Sequence, residues 1–491
     1  MPRRMSRRDF VKLAGRAGVT ISVGGLGSLG CAPRRPDARA LRGINAVAER
    51  AIRDLAAGLH GALIRPSDPG YESARRIWNA RFDRRPGLIV RCADTADVQR
   101  TVDFVRAENV LVAVHGGGHS FAGHSVCDDG LVIDLSGMKA VQVDRTQEIV
   151  HAEPGLVARE LDAATQATGL AMVLGGCGSV GIGGFTLGGG EGALSGKYGL
   201  SCDNLLSANV VLADGRLVTA STDQNPDLFW ALRGGGGNFG VVTSLRFRAH
   251  PITAVVAGRL VYALSEAPAV MRGYRDFARS APDEITCGLT FAAVQGAPAL
   301  ILQLVYVGNA DSAAPVLHTV RSFAKPEVDT VAPVPYHQFH LASPGPPPGF
   351  PSMARGAFLP DLPDDVIAAV TSLAAEVPPA AEFEMNHLHG AVSRVPLGDA
   401  AFPLRQPGFD CFAIAGWPAP ALHEAAVSWV QRLFAALRPH ARGAYINVLN
   451  DDEGERVMAA YGRQYARLAA LKKKYDPGNL FRLNPNILPA G

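Results

Sequence analysis

The sequence predicts an α+β protein built from more than one domain, and three observations lead there. Strand and helix patterns alternate up to about Ile252. Beyond it, longer strands and amphipathic helices take over, and proline and alanine rise. Glycine, 54 of 491 residues, exceeds the usual share of ~7%. It gathers in three clusters, Gly116–Gly123, Gly175–Gly192 and Gly234–Gly240, each set between apolar runs rather than in a solvated linker. With 47% hydrophobic residues the chain can bury a large core, and its length exceeds one typical domain.

The elements follow in order. Leu88–Arg91 reads as a short buried strand. Asp94 or Thr95 caps the next helix, whose apolar positions Val98, Val102 and Val105 recur at three to four residues. Val110–Val114 is a second strand, and Gly130–Ser136, after the first glycine cluster, a third. Residues 140–155 alternate as a hairpin does, and Leu206–Ser221 is another, turning at Asp214–Gly215. Past Ile252, residues 288–294, 299–308 and 409–417 read as strands of an antiparallel sheet. Residues 364–377 and 423–440 read as helices that cover it. Residues 344–351, rich in proline, read as an exposed loop or lid. A helix from about Asp452 to Tyr475 ends at Asp476-Pro477-Gly478.

The formal net charge is +3, and much of the positive charge lies in the first 35 residues. The remainder is near neutral, so a nucleic-acid partner gains no support. Ser6–Lys12, with Arg7 and Arg8, precedes the uncharged stretch Ala17–Gly30 and resembles a twin-arginine export signal. The expected location is therefore periplasmic or extracellular, with the export machinery as a partner; the alternative is a basic, frayed helix. Ser28 to Cys31 matches a lipoprotein cleavage site imperfectly, because Ser28 stands where leucine is expected, so lipidation of Cys31 stays open. The seven cysteines form no CxxC pair. Neither a metal site of that kind nor a disulfide scaffold is expected.

The chemistry centres on Val114–Ser125, VHGGGHSFAGHS. A glycine loop after a buried strand lets backbone N–H groups converge on a diphosphate. A strand follows it, not a helix with an acidic partner, so it is not a Rossmann loop, and no Gly-Lys-Ser/Thr makes it a Walker loop. Beside it, His119 suggests a dinucleotide held near a reactive side chain; a tight turn with a hydrogen-bonded histidine is the alternative.

Further segments carry a resemblance: GGCGSVGIGGFTLGGG from Gly175, KYGLSCDN from Lys197, NPDLFWALRGGGGNFGVVT from Asn225, and KKKYDPGNLFRLNPNI from Lys472. In this order they resemble the berberine-bridge-enzyme-like FAD-linked oxidases. The resemblance implies a two-part PCMH-type FAD-binding domain over 41–252, an inserted substrate domain over 253–450, and a C-terminal segment, 451–491, returning to the flavin. Residues 1–40 are the signal and linker. It also implies FAD bonded covalently through His119 to the 8α-methyl and through Cys177 to C6, which fixes the ring and raises its potential. Cys92, Cys127, Cys202, Cys287 and Cys411 are expected to pack as small hydrophobes.

By the same resemblance the flavin contacts are Gly116, Gly117, Gly118, Ser120, Gly123, Gly176, Val180, Gly183, Gly184, Gly240, Val242 and Asn486, the last preferred over Asn484. Valine at 180 implies O2 as acceptor. Oxidation of an alcohol needs a base for the hydroxyl proton while hydride goes to N5. Ala444–Asn450 resembles the family's Y-x-N-Y strand at Tyr445 and Asn447, with Val448 in place of the second tyrosine; Phe412 replaces a polar residue of some relatives. The candidates are Tyr445, Glu191 and then His389. The implied activity is oxidation of a small-molecule alcohol. A sugar or oligosaccharide leads, and an aromatic or alkaloid-like metabolite is the alternative. Four tryptophans make no evident sugar platform. A dehydrogenase with another acceptor and a flavin-free binding protein are the rival classes.

Overall fold

The structure is a computed structural model that describes residues 41–294, 296–340, 349–451 and 454–491. The expected export signal, Cys31 and most of the 344–351 loop lie outside the described residues.

Strands β1 (Ala62–Ile64), β2 (Leu88–Arg91), β3 (Val112–His115) and β4 (Leu131–Asp134) form a sheet of order β1-β2-β4-β3. Its last three strands are parallel, so a helix must cross between β2 and β3. That helix is α1 (Thr95–Glu108). Asp94 caps it by accepting the Asp97 N–H at 3.0 Å, and Asn109 ends it in a left-handed conformation. Val98, Val102 and Val105 pack on Leu88, Val90, Val112 and Ile133. Both strand and helix patterns of this stretch appear as the sequence predicts.

Strands β5 (Val141–Asp144) and β6 (Ile149–Ala152) form the first expected hairpin. Strand β7 (Leu170–Ala171) pairs separately with a later strand. β8 (Leu205–Val211), β9 (Leu217–Ser221) and β10 (Val241–Arg248) complete an antiparallel sheet of order β5-β6-β10-β8-β9. β11 (His250–Pro251) is the partner of β7. Between these strands lies α2 (Ile182–Leu187).

The second half builds one antiparallel sheet of eight strands: β12 (Ala254–Ala263), β13 (Ile285–Val294), β14 (Ala297–Tyr306), β15 (Val328–Asp329), β16 (Ala332–Pro335), β17 (Ser352–Leu359), β18 (Ala381–Leu388) and β19 (Gly408–Gly416). Its central order is β12-β14-β13-β18-β19-β17. Four helices, α3 (Ala267–Ala278), α4 (Ala310–Arg321), α5 (Asp364–Ala374) and α6 (His423–Leu437), cover one face. Because successive side chains alternate in a strand, each strand has two characters. Phe383, Met385, Phe409 and Cys411 enter the core beneath the helices. Glu382, Glu384, Asn386 and Phe412 point the other way and line a cavity.

Two expectations change. Residues 446–448 form a 3-10 turn, not a strand. Ala444, Ile446 and Leu449 already pack in the same core as β8, β10 and Tyr461, so the chain returns to the first half near Ala444, before residue 451. The expected long helix is two, α7 (Gly454–Tyr461) and α8 (Tyr465–Tyr475). Gly462 between them has φ +51°, which an α-helix cannot hold. Among the described residues no helix is long and apolar enough to cross a membrane.

The C-terminal segment is clamped by Lys472. This fully buried ammonium donates to Asp476 at 2.7 Å, to the Asn238 carbonyl at 2.7 Å and to the Phe481 carbonyl at 2.8 Å. It thereby ties α8 and the last turn to the third glycine cluster. Removing one partner of a buried pair leaves an uncompensated charge, which costs about 3–5 kcal/mol. Lys472→Met is expected to lower the unfolding free energy by about that amount in a urea titration; a loss under ~1 kcal/mol contradicts the clamp.

Candidate active site

All three glycine clusters meet on one cavity of about 650 Å³. Gly116, Gly117, Gly118, His119 and Ser120 line it from the first cluster, Gly176, Cys177, Val180, Gly183 and Gly184 from the second, and Gly240 and Val242 from the third. The glycines permit this by backbone contact. A Cβ on Gly117 would lie 2.3 Å from the Gly181 nitrogen, and one on Gly181 equally close to the Gly117 nitrogen. No side chain fits between these two loops.

That contact brings the two expected tethers together. His119 Nε2 lies 2.8 Å from Ser179 Oγ, and Cys177 Sγ lies 3.4 Å from the same oxygen. Trp78 stacks on the His119 ring at 5.2 Å between centroids. Burial, with the His115 and Arg159 charges nearby, pushes the His119 pKa down to about 4. The imidazole is therefore neutral, with a lone pair available for bonding. Among the described cysteines Cys177 alone is partly exposed; Cys92, Cys127, Cys202, Cys287 and Cys411 are buried free thiols in hydrophobic clusters, as expected.

Two expected contacts stand off the lining. Gly123 has φ +69°, and a Cβ there would strike the Phe82 ring at 2.4 Å, so its role is a turn packed on Phe82. Asn486 is not in the lining, although its Oδ1 is buried without a hydrogen-bond partner among the described residues. Asn238 fixes the backbone on either side of it, donating to the Pro485 carbonyl at 3.1 Å and accepting the Ile487 N–H at 2.9 Å. Asn484 faces the cavity instead.

The cavity suits a flavin dinucleotide. A Cβ on Gly184 or Gly237 would meet nothing within 4 Å, so backbone is bare at two points of the lining. Trp78 Nε1 and Asn484 Oδ1 are buried there with no hydrogen-bond partner among the described residues. Such orphaned polar atoms call for a ligand that carries hydrogen-bonding groups into an otherwise apolar space.

The candidate bases occupy the wall between the glycine turn and the large sheet. Gly189 and Gly190 have φ +127° and +86°. This left-handed turn presents the Gly190 N–H to Tyr445 Oη at 2.9 Å. Asn447 Nδ2 also donates to Tyr445 Oη, at 2.8 Å. Even so, burial and the Glu191 carboxylate push the Tyr445 pKa well above its usual value, which makes it a poor proton acceptor. Glu191 lines the cavity with one carboxylate oxygen buried and unpartnered. Its pKa is raised by burial and by Asp410 and Glu384. His389 lies outside the lining, its ring nitrogens 3.3 Å from the His387 and Pro282 carbonyls.

Glu384 and Asp410 are residues that the sequence reading missed. Burial raises the carboxyl of Glu384 to about 8, helped by Glu382 and Asp410, and that of Asp410 to about 7. The visible signal was alternation: acid at 382 and 384 between apolar 381, 383 and 385. It reads as a solvated sheet face, and only the fold shows that the face meets a cavity.

Carboxyls raised in this way bind protons in the folded protein that the unfolded chain has released near pH 4. Their contribution to stability is full below that pH and lost as pH rises through about 7 to 8. The buried histidines His119, His124, His250 and His387 have lowered values and act on stability below about pH 6.5. Between about pH 6.5 and 8 the Tm of the holoprotein is therefore expected to fall, and Glu384→Gln with Asp410→Asn to flatten that slope. An unchanged slope in the double variant contradicts the assignment.

Comparison with known proteins places this geometry. Residues 86–221 match the FAD binding domain family, and residues 444–488 match the berberine and berberine like family. An FAD-linked oxidoreductase of Dictyostelium discoideum is 30% identical over 450 residues, 90% of this chain and 98% of that protein. The crystal structure of 6-hydroxy-D-nicotine oxidase from Arthrobacter nicotinovorans superposes with a TM-score of 0.80 at 26% identity, covering 88% of this chain and 98% of that one. Xylooligosaccharide oxidase from Myceliophthora thermophila gives 0.82 at 26% identity, over 90% and 100%. The glycine-lined cavity and the sheet that faces it accord with these relatives, and the chain belongs to the berberine-bridge-enzyme-like FAD-linked oxidoreductases.

Proposed function

We propose that the protein oxidises an alcohol carbon of a small molecule to a carbonyl, with O2 reduced to H2O2. The observation that carries this reading is the convergence of His119 and Cys177 on Ser179 at the wall of an apolar cavity. Bound FAD supplies the hydride acceptor and the site of O2 reduction. His119 and Cys177 would hold it covalently. The Ser179 contact engages Nε2 of His119, so Nδ1 is the nitrogen left for the bond. The Gly116–Gly118 and Gly183–Gly184 backbones would cradle the cofactor, and Val180, in the same lining, is the residue the family resemblance ties to O2 access.

Glu191 takes the substrate hydroxyl proton. Its position in the lining, with one carboxylate oxygen buried and unpartnered, leaves that oxygen to accept the substrate hydroxyl. Tyr445 holds the Gly188–Gly190 turn that carries Glu191. Tyr445 led in the sequence reading; two N–H groups directed at its oxygen and its raised pKa favour the positioning role instead.

Relatives bearing the names of a hydroxynicotine oxidase and a xylooligosaccharide oxidase support both substrate classes considered from the sequence. Ile301, Phe339, Phe412 and Ile414 in the lining favour the aromatic or alkaloid-like class over a sugar, which needs more neutral hydrogen-bonding groups. Export through the twin-arginine machinery, as a folded and flavin-loaded protein, rests on the Arg7-Arg8 segment.

The acceptor is tested without a substrate. Flavin photoreduced without oxygen is expected to turn yellow within seconds of admitting air, with one H2O2 per flavin. Reoxidation over many minutes contradicts an oxidase and points to a dehydrogenase. With an alcohol found by peroxide release, Glu191→Gln is expected to slow anaerobic flavin reduction by about 10²–10⁴-fold, and Tyr445→Phe by far less. A larger loss in Tyr445→Phe reverses the two roles.

A further inference from the structure

Resting on the oxidase reading, we propose that the substrate is a hydroxy acid, an alcohol with an apolar body whose carboxylate is received by Arg259 on the sheet wall of the cavity.

Among the described residues Arg259 is the one lysine or arginine in the lining. It lies on β12, and the register across the sheet sets it in one row with Gln303 of β14, Gly288 of β13 and Asn386 of β18. All of these line the cavity. Neighbouring strands are about 4.8 Å apart, so three strand spacings put Arg259 roughly 14 Å from Asn386 along the wall. The glycine loops that suit a dinucleotide belong to the other wall.

Arg259 is held in place and left unpaired. Its N–H donates to Thr330 Oγ1 at 2.9 Å, and its carbonyl accepts the Thr330 N–H at 3.0 Å. Its Nε donates to Gln303 Oε1 at 3.0 Å. Among the described residues no carboxylate pairs with it. With Nε engaged, both terminal nitrogens remain at the end of the fork, an edge that grips a carboxylate in bidentate fashion. The acids of the same wall stand too far off to fill that place. Glu384 is in the next row, between Thr290 and Phe412, on the third strand from Arg259. Burial, with Glu382 nearby, raises its carboxyl to about 8, so at neutral pH it keeps its proton and does not repel an anion.

The surroundings set the rest of the molecule. Ile301 is two residues from Gln303 on the same face, and Phe339 comes from the short helix Tyr336–His340. They give an apolar body a surface beside the guanidinium. Glu191 enters from the glycine turn, and the charges that act on it are those of Asp410 and Glu384, on the strands far from Arg259. A substrate that reaches both Arg259 and Glu191 therefore carries its carboxylate and its hydroxyl at opposite ends, not on neighbouring carbons.

Titration of the flavin-loaded protein with three probes of one skeleton tests this by flavin difference spectra and by Tm: 3-phenylpropionate, 3-phenylpropanol and 3-phenylpropylamine. The acid is expected to bind at least tenfold tighter than the alcohol or the amine. Arg259→Gln is expected to keep its flavin and lose that preference. Arg259→Lys, which keeps the charge without the fork, is expected to lose it only in part. Equal or tighter binding of the alcohol or the amine, no binding of the acid, or a preference that survives in Arg259→Gln overturns the proposal. Loss of flavin from Arg259→Gln also overturns it, by assigning the guanidinium to the cofactor. A protein that carries no flavin, or whose reduced flavin does not react with O2, instead overturns the oxidase reading, and the Tm shifts with the three probes still decide the role of Arg259.

Discussion

The site depends on a contact between two stretches of bare backbone. Gly117 and Gly181 leave no room for a Cβ on either side. A side chain there would put its Cβ 2.3 Å from the backbone nitrogen across the gap, so the loops would have to part. The consequence would reach the chemistry at once, because His119 and Cys177 sit two and four residues from these glycines. Only with the loops closed do both side chains reach the single oxygen of Ser179. Glycine at these points is a steric requirement, separate from the left-handed turns at Gly118, Gly189 and Gly190, where the backbone conformation itself excludes most residues.

From that contact the cavity acquires two unlike walls. One is backbone and neutral: glycine loops, a histidine kept uncharged by burial, and the returning C-terminal segment held by Lys472. The other is the pleated face of the eight-stranded sheet, which carries the charge. Its helix-covered face is mostly apolar, where its cavity face sets Phe412 and Ile414 beside Glu382, Glu384 and Asn386. The first wall suits a cofactor and the second a substrate. Glu191 lies at their seam, attached to the flavin side by its glycine turn and electrostatically linked to the sheet side. Arg405 and Asp203, a buried pair joined twice at 2.7 Å, fasten the two sides together behind that seam.

Much of this was legible in the sequence wherever local chemistry decides the structure. The Asp94 cap, the valine stripe of α1, the hairpin at Asp214–Gly215 and the three glycine clusters are local signals, and each appears where it was read. What the sequence hid depended on long-range placement. Gly462 looked like one glycine in a helical pattern, yet it breaks the helix. Residues 446–448 looked like a strand, but two cores compete for them and a turn results. Asn484 rather than Asn486 reaches the lining, and it does so while donating to the Gly237 and Phe481 carbonyls, contacts far away in sequence or set by the last turn. Glu384 and Asp410 were invisible because an acid at every second position means solvent on most sheets. Knowing that this face is dry required the fold.

The claim on which the account stands is that His119 and Cys177 both hold the flavin. It is tested most directly by precipitating the purified protein with acid and locating the yellow colour, for the native chain, His119→Ala, Cys177→Ala and the double variant. With two tethers, the pellet is expected to be yellow for the native protein and for each single variant, and colourless for the double variant alone. Flavin released from the native protein, or retained by the double variant, contradicts it.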